Sequence, residues 1–176
     1  MIAASLREAE GDPIIDMLLQ KGADVNVKSV TGQVSIPLSP PSMLPWTIYK
    51  ITNGFLQNAL HFATSKINIS TVRTLIAHKC SARVKDKRGQ LPLHRAAAVG
   101  SIPIMKTLLE EGKSAVNATD MDGLTALHQA VAEGHGDAAI FLLKAGAEAD
   151  KRDSDGLLAI DMVPDNKVGR SFLLFI

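Results

Sequence analysis

Cysteine is nearly absent from this 176-residue chain, where Cys80 stands alone. A single thiol excludes an internal disulfide and any zinc site built on several cysteines, and it fits a reducing compartment. Aromatic residues make up only 4%, with one Trp and one Tyr, although apolar residues reach 46%. A sizeable core is therefore available, but it must be aliphatic and rich in small side chains. An excess of one charge is missing too. Nineteen basic and eighteen acidic side chains leave a formal charge of +1, which argues against a general binder of nucleic acid or membrane surfaces. No window holds the roughly eighteen uninterrupted apolar residues of a transmembrane helix. The opening residues, Met1-Ile-Ala-Ala-Ser-Leu-Arg-Glu8, lack the basic start and apolar run of a secretory signal. The expectation is a soluble intracellular protein.

What the chain does contain is a repeat. Asp86-Lys-Arg-Gly89-Gln-Leu-Pro-Leu-His94-Arg-Ala-Ala-Ala-Val-Gly100 recurs as Asp120-Met-Asp-Gly123-Leu-Thr-Ala-Leu-His128-Gln-Ala-Val-Ala-Glu-Gly134. A weaker copy follows at Asp153-Ser-Asp-Gly156-Leu-Leu-Ala-Ile-Asp161. The glycines are spaced by 34 residues from Gly89 to Gly123 and by 33 from there to Gly156. The extra residue lies in Gly112-Lys-Ser-Ala-Val-Asn117, one longer than the matching turn Gly22-Ala-Asp-Val-Asn26. After each first helix a second is expected, with apolar pairs three or four apart: Ile104-Met105 with Leu108-Leu109, and Ala139-Ile140 with Leu142-Leu143. Pro13 and Pro103 stand where that second helix begins, a position that needs no N–H and welcomes a fixed φ. Gly22, Gly112 and Gly146 follow the apolar pairs, where a left-handed helix cap is wanted.

A 33-residue period with a Pro-Leu-His-x-Ala helix start and two short helices resembles the ankyrin repeat. The fold class expected is an all-α ankyrin-repeat solenoid of helix-turn-helix units with short β-hairpin turns, about four repeats plus a truncated cap.

Upstream, the count breaks. Gly32 to Gly89 is 57 residues, 24 more than one period, yet His61 in Ala59-Leu60-His61-Phe62-Ala63 precedes His94 by 33. Removing Val34–Gln57 joins Gly32-Gln33 to Asn58-Ala59-Leu60-His61 and restores the register. The removed stretch holds the only Trp (Trp46), the only Tyr (Tyr49), four of the eight prolines and one charge, Lys50. Two readings compete: a loop inserted at a hairpin tip, where solenoids accept insertions, or a retained intron. Twenty-four codons are 72 nucleotides, in frame. Val34-Ser35 is compatible with a donor-like GTGAGT, Leu56-Gln57 with an acceptor-like CTGCAG, and Thr52-Asn53 with a branch-like ACTAAC. We favour the intron, because a functional loop rarely drops out to leave the repeat in register. The organisation expected is therefore a truncated N-terminal repeat and turn at 1–33, a non-repeat and disordered insert at 34–57, repeats over 58–163, and an irregular tail at 164–176. The missing start of the first repeat and the bare apolar ending after Val168 read as gene-model artefacts.

Residues arranged for catalysis or ligand binding are scarce. His61, His94 and His128 share one repeat position, and the ankyrin resemblance implies a structural role for it, bridging neighbouring backbone turns. His78 and His135 have no partner at a ligand spacing such as His-Glu-x-x-His. Gly112-Lys113-Ser114 imitates the end of a phosphate-binding loop, but Thr107 stands where its leading glycine belongs, and the stretch follows a helix rather than opening one. Cys80 replaces a small alanine and reads as a packed thiol. No nucleophile elbow or Rossmann glycine run is present. The expectation is no enzyme, no cofactor and no metal.

Surface charge remains. Lys79, Arg83, Lys85, Lys87, Arg88 and Arg95 cluster in the middle of the array, and Asp120, Asp122, Glu133, Asp150, Asp153 and Asp155 toward its end. Solenoids of this kind bind partners on the concave face formed by hairpin tips and first helices. A dipolar face of this kind steers encounter and register with a partner of opposite patches. It is also what ordinary turn chemistry would leave, since aspartate is common at hairpin starts.

Lys85-Asp-Lys-Arg-Gly-Gln-Leu-Pro-Leu-His-Arg-Ala-Ala-Ala-Val-Gly-Ser101, Gly112-Lys-Ser-Ala-Val-Asn117 and Ala132-Glu-Gly-His-Gly-Asp-Ala-Ala139 are similar to the gankyrin family, the ankyrin-repeat chaperones of proteasome assembly, and to its fungal members especially. The likeness covers about 60–165 well and 2–33 acceptably. It implies a non-enzymatic, monomeric chaperone of the 26S proteasome regulatory particle, cytoplasmic and nuclear. Such a protein grips the C-terminal domain of a base ATPase subunit with its concave face, and binds neither nucleic acid nor membrane. Only the face is carried over, through Lys87, Arg88, Arg95, Asp122, Glu133 and Asp155. The family has about seven repeats, more than this chain. A general ankyrin adaptor and an ankyrin fragment of a larger enzyme stay open beside this reading.

Overall fold

The computed structural model of the chain describes residues 16–23 and 59–163. The insert at 34–57 and the tail at 164–176 lie outside the described residues, as does Pro13. Residues 16–20 are helical. Six α-helices then follow in pairs: α1 (Ala59–Ser65) and α2 (Ile69–Ala77), α3 (Pro92–Ala98) and α4 (Ile102–Glu110), α5 (Ala126–Ala132) and α6 (Gly136–Lys144). A single 3-10 turn, Ala159–Met162, stands where the next first helix would begin. First helices pack on first helices, α1 on α3 and α3 on α5, and second helices form an outer layer in the same order. The chain is thus an all-α solenoid, as the repeat implies.

The spacing of apolar residues explains the layers. Leu60, Leu93 and Leu127, each just before its histidine, are fully buried. Ala63, Ala96 and Ala130 are also fully buried, and their small side chains let successive inner helices approach closely. Ile104, Met105 and Leu108 of α4 and Ala139 and Leu142 of α6 fill the space between inner and outer layers. This is how a core forms with almost no aromatics, each buried aliphatic side chain contributing about 1.5–3 kcal/mol. Helix starts follow the sequence: Pro92 opens α3 and Pro103 sits in the first turn of α4. Asn68 caps α2, its Oδ1 accepting from the Thr71 N–H at 3.1 Å.

The tips are short hairpin turns: the N–H groups of Asp86, Asp120 and Asp153 donate to the carbonyls of Gln90, Leu124 and Leu157 at 2.8–3.0 Å. Among the described residues no strand extends from them, and one isolated antiparallel bridge joins Arg152 to Leu158. Aspartate side chains close the tips further. The Oδ1 atoms of Asp86, Asp120 and Asp153 each accept from the N–H groups two and four residues on, at 2.8–3.0 Å. One expectation is corrected, at Gly112. Gly22 and Gly146 adopt positive φ as expected, but in the longer unit Lys113 takes the left-handed conformation, at φ 52°. Gly112 is there for space: a Cβ would come within 2.9 Å of the Ala82 Cβ.

Candidate protein-interaction face

Each first helix starts at a tip and runs away from it, so tips and first helices form one continuous surface. Successive tips are tied by backbone: the Met121 N–H donates to the Arg88 carbonyl at 2.9 Å, and the Ser154 N–H to the Asp122 carbonyl at 3.0 Å. Such close approach requires glycine. A Cβ on Gly89 would meet the Met121 nitrogen at 3.0 Å, and one on Gly123 the Ser154 nitrogen at 2.8 Å, with φ at 77° and 76°. Lys87, Arg88, Asp122 and Asp155 are all exposed on this ridge, passing from basic to acidic along it.

The other two selected residues lie elsewhere. Arg95, one turn into α3, reaches back to its own tip, where Nη2 lies 2.7 Å from Asp86 Oδ2. The Asp86 side chain is 1% exposed and that of Arg95 29%. Burial pushes the Asp86 carboxyl up, but the Arg95 guanidinium and the N–H groups of Gln90 and Arg88 outweigh it and hold the group below the usual range. Arg95 therefore positions the tip that carries Lys87 and Arg88. Glu133 caps the far end of α5, about 10 Å from the tip along a helix of this length, and is exposed. The surrounding charges divide similarly. Lys85 Nζ donates to Thr119 O and Arg83 Nε to Lys113 O, both at 2.7 Å, strapping one repeat to the next. Asp120 is buried and accepts from Gln90 Nε2 at 3.1 Å.

The histidines bridge to the next unit at two of three positions. His94 Nδ1 accepts from the Leu91 N–H at 3.1 Å, which leaves the proton on Nε2 to donate to Leu124 O, also at 3.1 Å. His61 Nε2 donates to Gln90 O at 3.0 Å. Burial lowers both pKa values, that of His61 to about 4. His128 keeps the Nδ1 half, accepting from the Thr125 hydroxyl at 2.8 Å, but its buried Nε2 has no partner. His135 packs its ring over Gly100, where a Cβ would come within 2.7 Å, and donates to Ala98 O at 3.1 Å. Cys80 is buried. Among the described residues no three His, Cys, Asp or Glu side chains gather to hold a metal, and no helix is long and apolar enough to cross a membrane.

One apolar residue stands on the same ridge: Met121 is 75% exposed, at the position held by Lys87 and Ser154 in the neighbouring tips. An apolar residue at a place the repeat keeps polar was the available signal.

A stack of helix pairs joined by aspartate-closed tips, with histidines bridging successive units, defines an ankyrin-repeat protein. The family described as "Ankyrin repeats (3 copies)" matches residues 60–153, and the chain belongs to it. Among individual proteins, it is 42% identical over 149 residues to the Saccharomyces cerevisiae protein named "Probable 26S proteasome regulatory subunit p28", covering 84% of this chain and 62% of that protein. It is 29% identical over 152 residues to human transient receptor potential cation channel subfamily A member 1, covering 76% of this chain and 13% of the channel. It is 27% identical over 173 residues to the chicken nuclear factor NF-kappa-B p105 subunit, covering 91% and 17%. The chain thus spans less than two thirds of the length of these relatives.

Proposed function

We propose that the chain is a non-enzymatic binding scaffold of the 26S proteasome regulatory particle. In this reading it is an assembly chaperone that holds the C-terminal domain of a base ATPase on its concave face. It acts as a monomer, in cytoplasm and nucleus, with no cofactor. The observation that carries this is the 42% identity, over 84% of the chain, to a yeast protein named as a proteasome regulatory subunit. The ridge supports it, since Lys87, Arg88, Asp122 and Asp155 stand exposed in a dipolar row that suits a partner of opposite charge order. A general ankyrin adaptor is the second reading. Its support is the similarity, at 27–29% identity, to a channel and a transcription-factor subunit.

The test is affinity capture from lysate with the full chain as bait, read by mass spectrometry, with a second bait lacking residues 34–57. Base ATPases recovered at near-stoichiometric amounts bear out the proteasome reading. A folded bait that recovers other proteins and no ATPase favours the adaptor. We also keep the intron reading of residues 34–57 as a proposal: a cDNA spanning Lys28 to Ser65 is expected to lack the 72 nucleotides, and one that retains them overturns it.

A further inference from the structure

We propose that Met121 is an apolar anchor at the charge boundary of the ridge. It seats an apolar side chain of the partner, flanked by an acidic group facing Lys87 and Arg88 and a basic group facing Asp122 and Asp155. The inference rests on the reading above, and the partner meant is the proteasome base ATPase. Single exposed apolar residues are common on protein surfaces, but three observations set this one apart.

The first is preorganisation. The Met121 N–H is fixed to Arg88 O at 2.9 Å, and its side chain lies across Gly89, where a Cβ would come 3.1 Å from Met121 Cγ. Little backbone freedom is left to lose on binding. The second is exposure: the side chain stays 75% open, so burial on folding does not explain its choice. The third is position. Lys87 and Ser154 hold the same place in the adjoining tips, and the sign of the exposed charge changes at Met121, between Arg88 and Asp122. Charged rims set encounter rate and orientation, whereas a desolvated apolar contact slows dissociation. Methionine is enriched in interfaces, and its flexible thioether adapts to irregular partner surfaces. Neighbouring tips ride on helices packed about 8–10 Å apart. The acidic, apolar and basic groups of the partner therefore span roughly 20 Å along the ridge.

The experiment measures binding of the full chain to purified proteasome base, comparing wild type with Met121→Glu, Met121→Leu and Lys87→Glu. Met121→Glu is expected to weaken binding about tenfold or more, chiefly through faster dissociation, its added charge altering association less than Lys87→Glu does. Met121→Leu stays within about twofold, since the swap conserves volume and apolarity. Lys87→Glu instead slows association and alters its salt dependence. Thermal unfolding of Met121→Glu should match wild type, because the side chain is exposed. Wild-type binding with an unimpaired Met121→Glu variant overturns the anchor and leaves the proteasome reading standing. A wild type that does not bind the base overturns that reading and the anchor's partner with it.

Discussion

The junction between the α3–α4 repeat and the α5–α6 repeat and the junction between the α5–α6 repeat and the cap have nearly the same plan but not the same chemistry. At the first, His94 Nε2 reaches Leu124 O, Gln90 reaches Asp120, Lys85 reaches Thr119 O, and the Met121 N–H reaches Arg88 O. At the second, the tip contacts persist, with both the N–H and hydroxyl of Ser154 donating to Asp122 O. The histidine bridge is lost: the buried His128 Nε2 has no partner, and a four-residue 3-10 turn, still packed against α5, replaces the helix. The repeat thus propagates through residues that bridge units. Where the next unit departs from the pattern, as at Asp161 in place of histidine, coupling weakens first at the helix layer and last at the tips. Stability in such an array is a sum over neighbours, so the contrast can be measured.

The largest effect is expected from the histidines. His94→Leu strands the Leu91 N–H and the Leu124 carbonyl and should cost about 2–4 kcal/mol in urea unfolding. His128→Leu should cost clearly less, because half of its hydrogen bonding is already absent. Equal losses would break the comparison.

Glycines at the tips give the next contrast. Gly123→Ala places a Cβ 2.8 Å from the Ser154 nitrogen at φ 76°, whereas Gly156→Ala at φ 80° meets nothing within 4 Å. The first should cost about 2–3 kcal/mol, and the second only the left-handed penalty of about 1–2 kcal/mol. Thermal melts of the two variants separate these contributions.

Acid should act on the interior junctions. Burial holds the folded His61 at about 4 and lowers His94 from the ordinary 6.5, so the unfolded chain binds more protons between those values. Their neutral forms therefore favour the native state at full strength above about pH 6.5, and that preference is lost as pH falls toward about 4. Asp86, depressed by Arg95, loses its contribution at lower pH still. Unfolding followed from pH 7 to 4 should show this decline, and a His61→Leu variant should show less of it.

The smallest effect is a gain. Ile67 sits at φ 59° and is 52% exposed, at the place where the next two repeats have Gly100 and Gly134. A β-branched residue there is strained, and Ile67→Gly should stabilise the array by about 1 kcal/mol. A melting temperature that does not rise would show that the strain is relieved by packing.

The sequence was most informative where it repeats itself. The period, the helix pairs, the tip glycines and the buried histidine position were all legible because each recurs at fixed spacing with one physical cause. The site was legible only in outline. Arg95 looked like surface charge, and its commitment to Asp86 depends on a first helix folding back over its own tip, which nine residues of separation do not reveal. Lys113 in the left-handed cap was hidden by the glycine beside it. The missing acceptor of His128 could not be read from His128 at all, because it is set by the residues of the following unit. Met121 does not stand out by charge, and its exposure is set by how the tip folds across Gly89.

The central proposal is that the tip ridge holds a proteasome base ATPase. Its most direct test is the affinity of the full chain for that ATPase's C-terminal domain, before and after the paired substitution Lys87→Glu and Arg88→Glu. Both side chains are exposed, so the fold should survive and binding should fall about tenfold or more. A variant that binds as tightly as wild type would contradict the account.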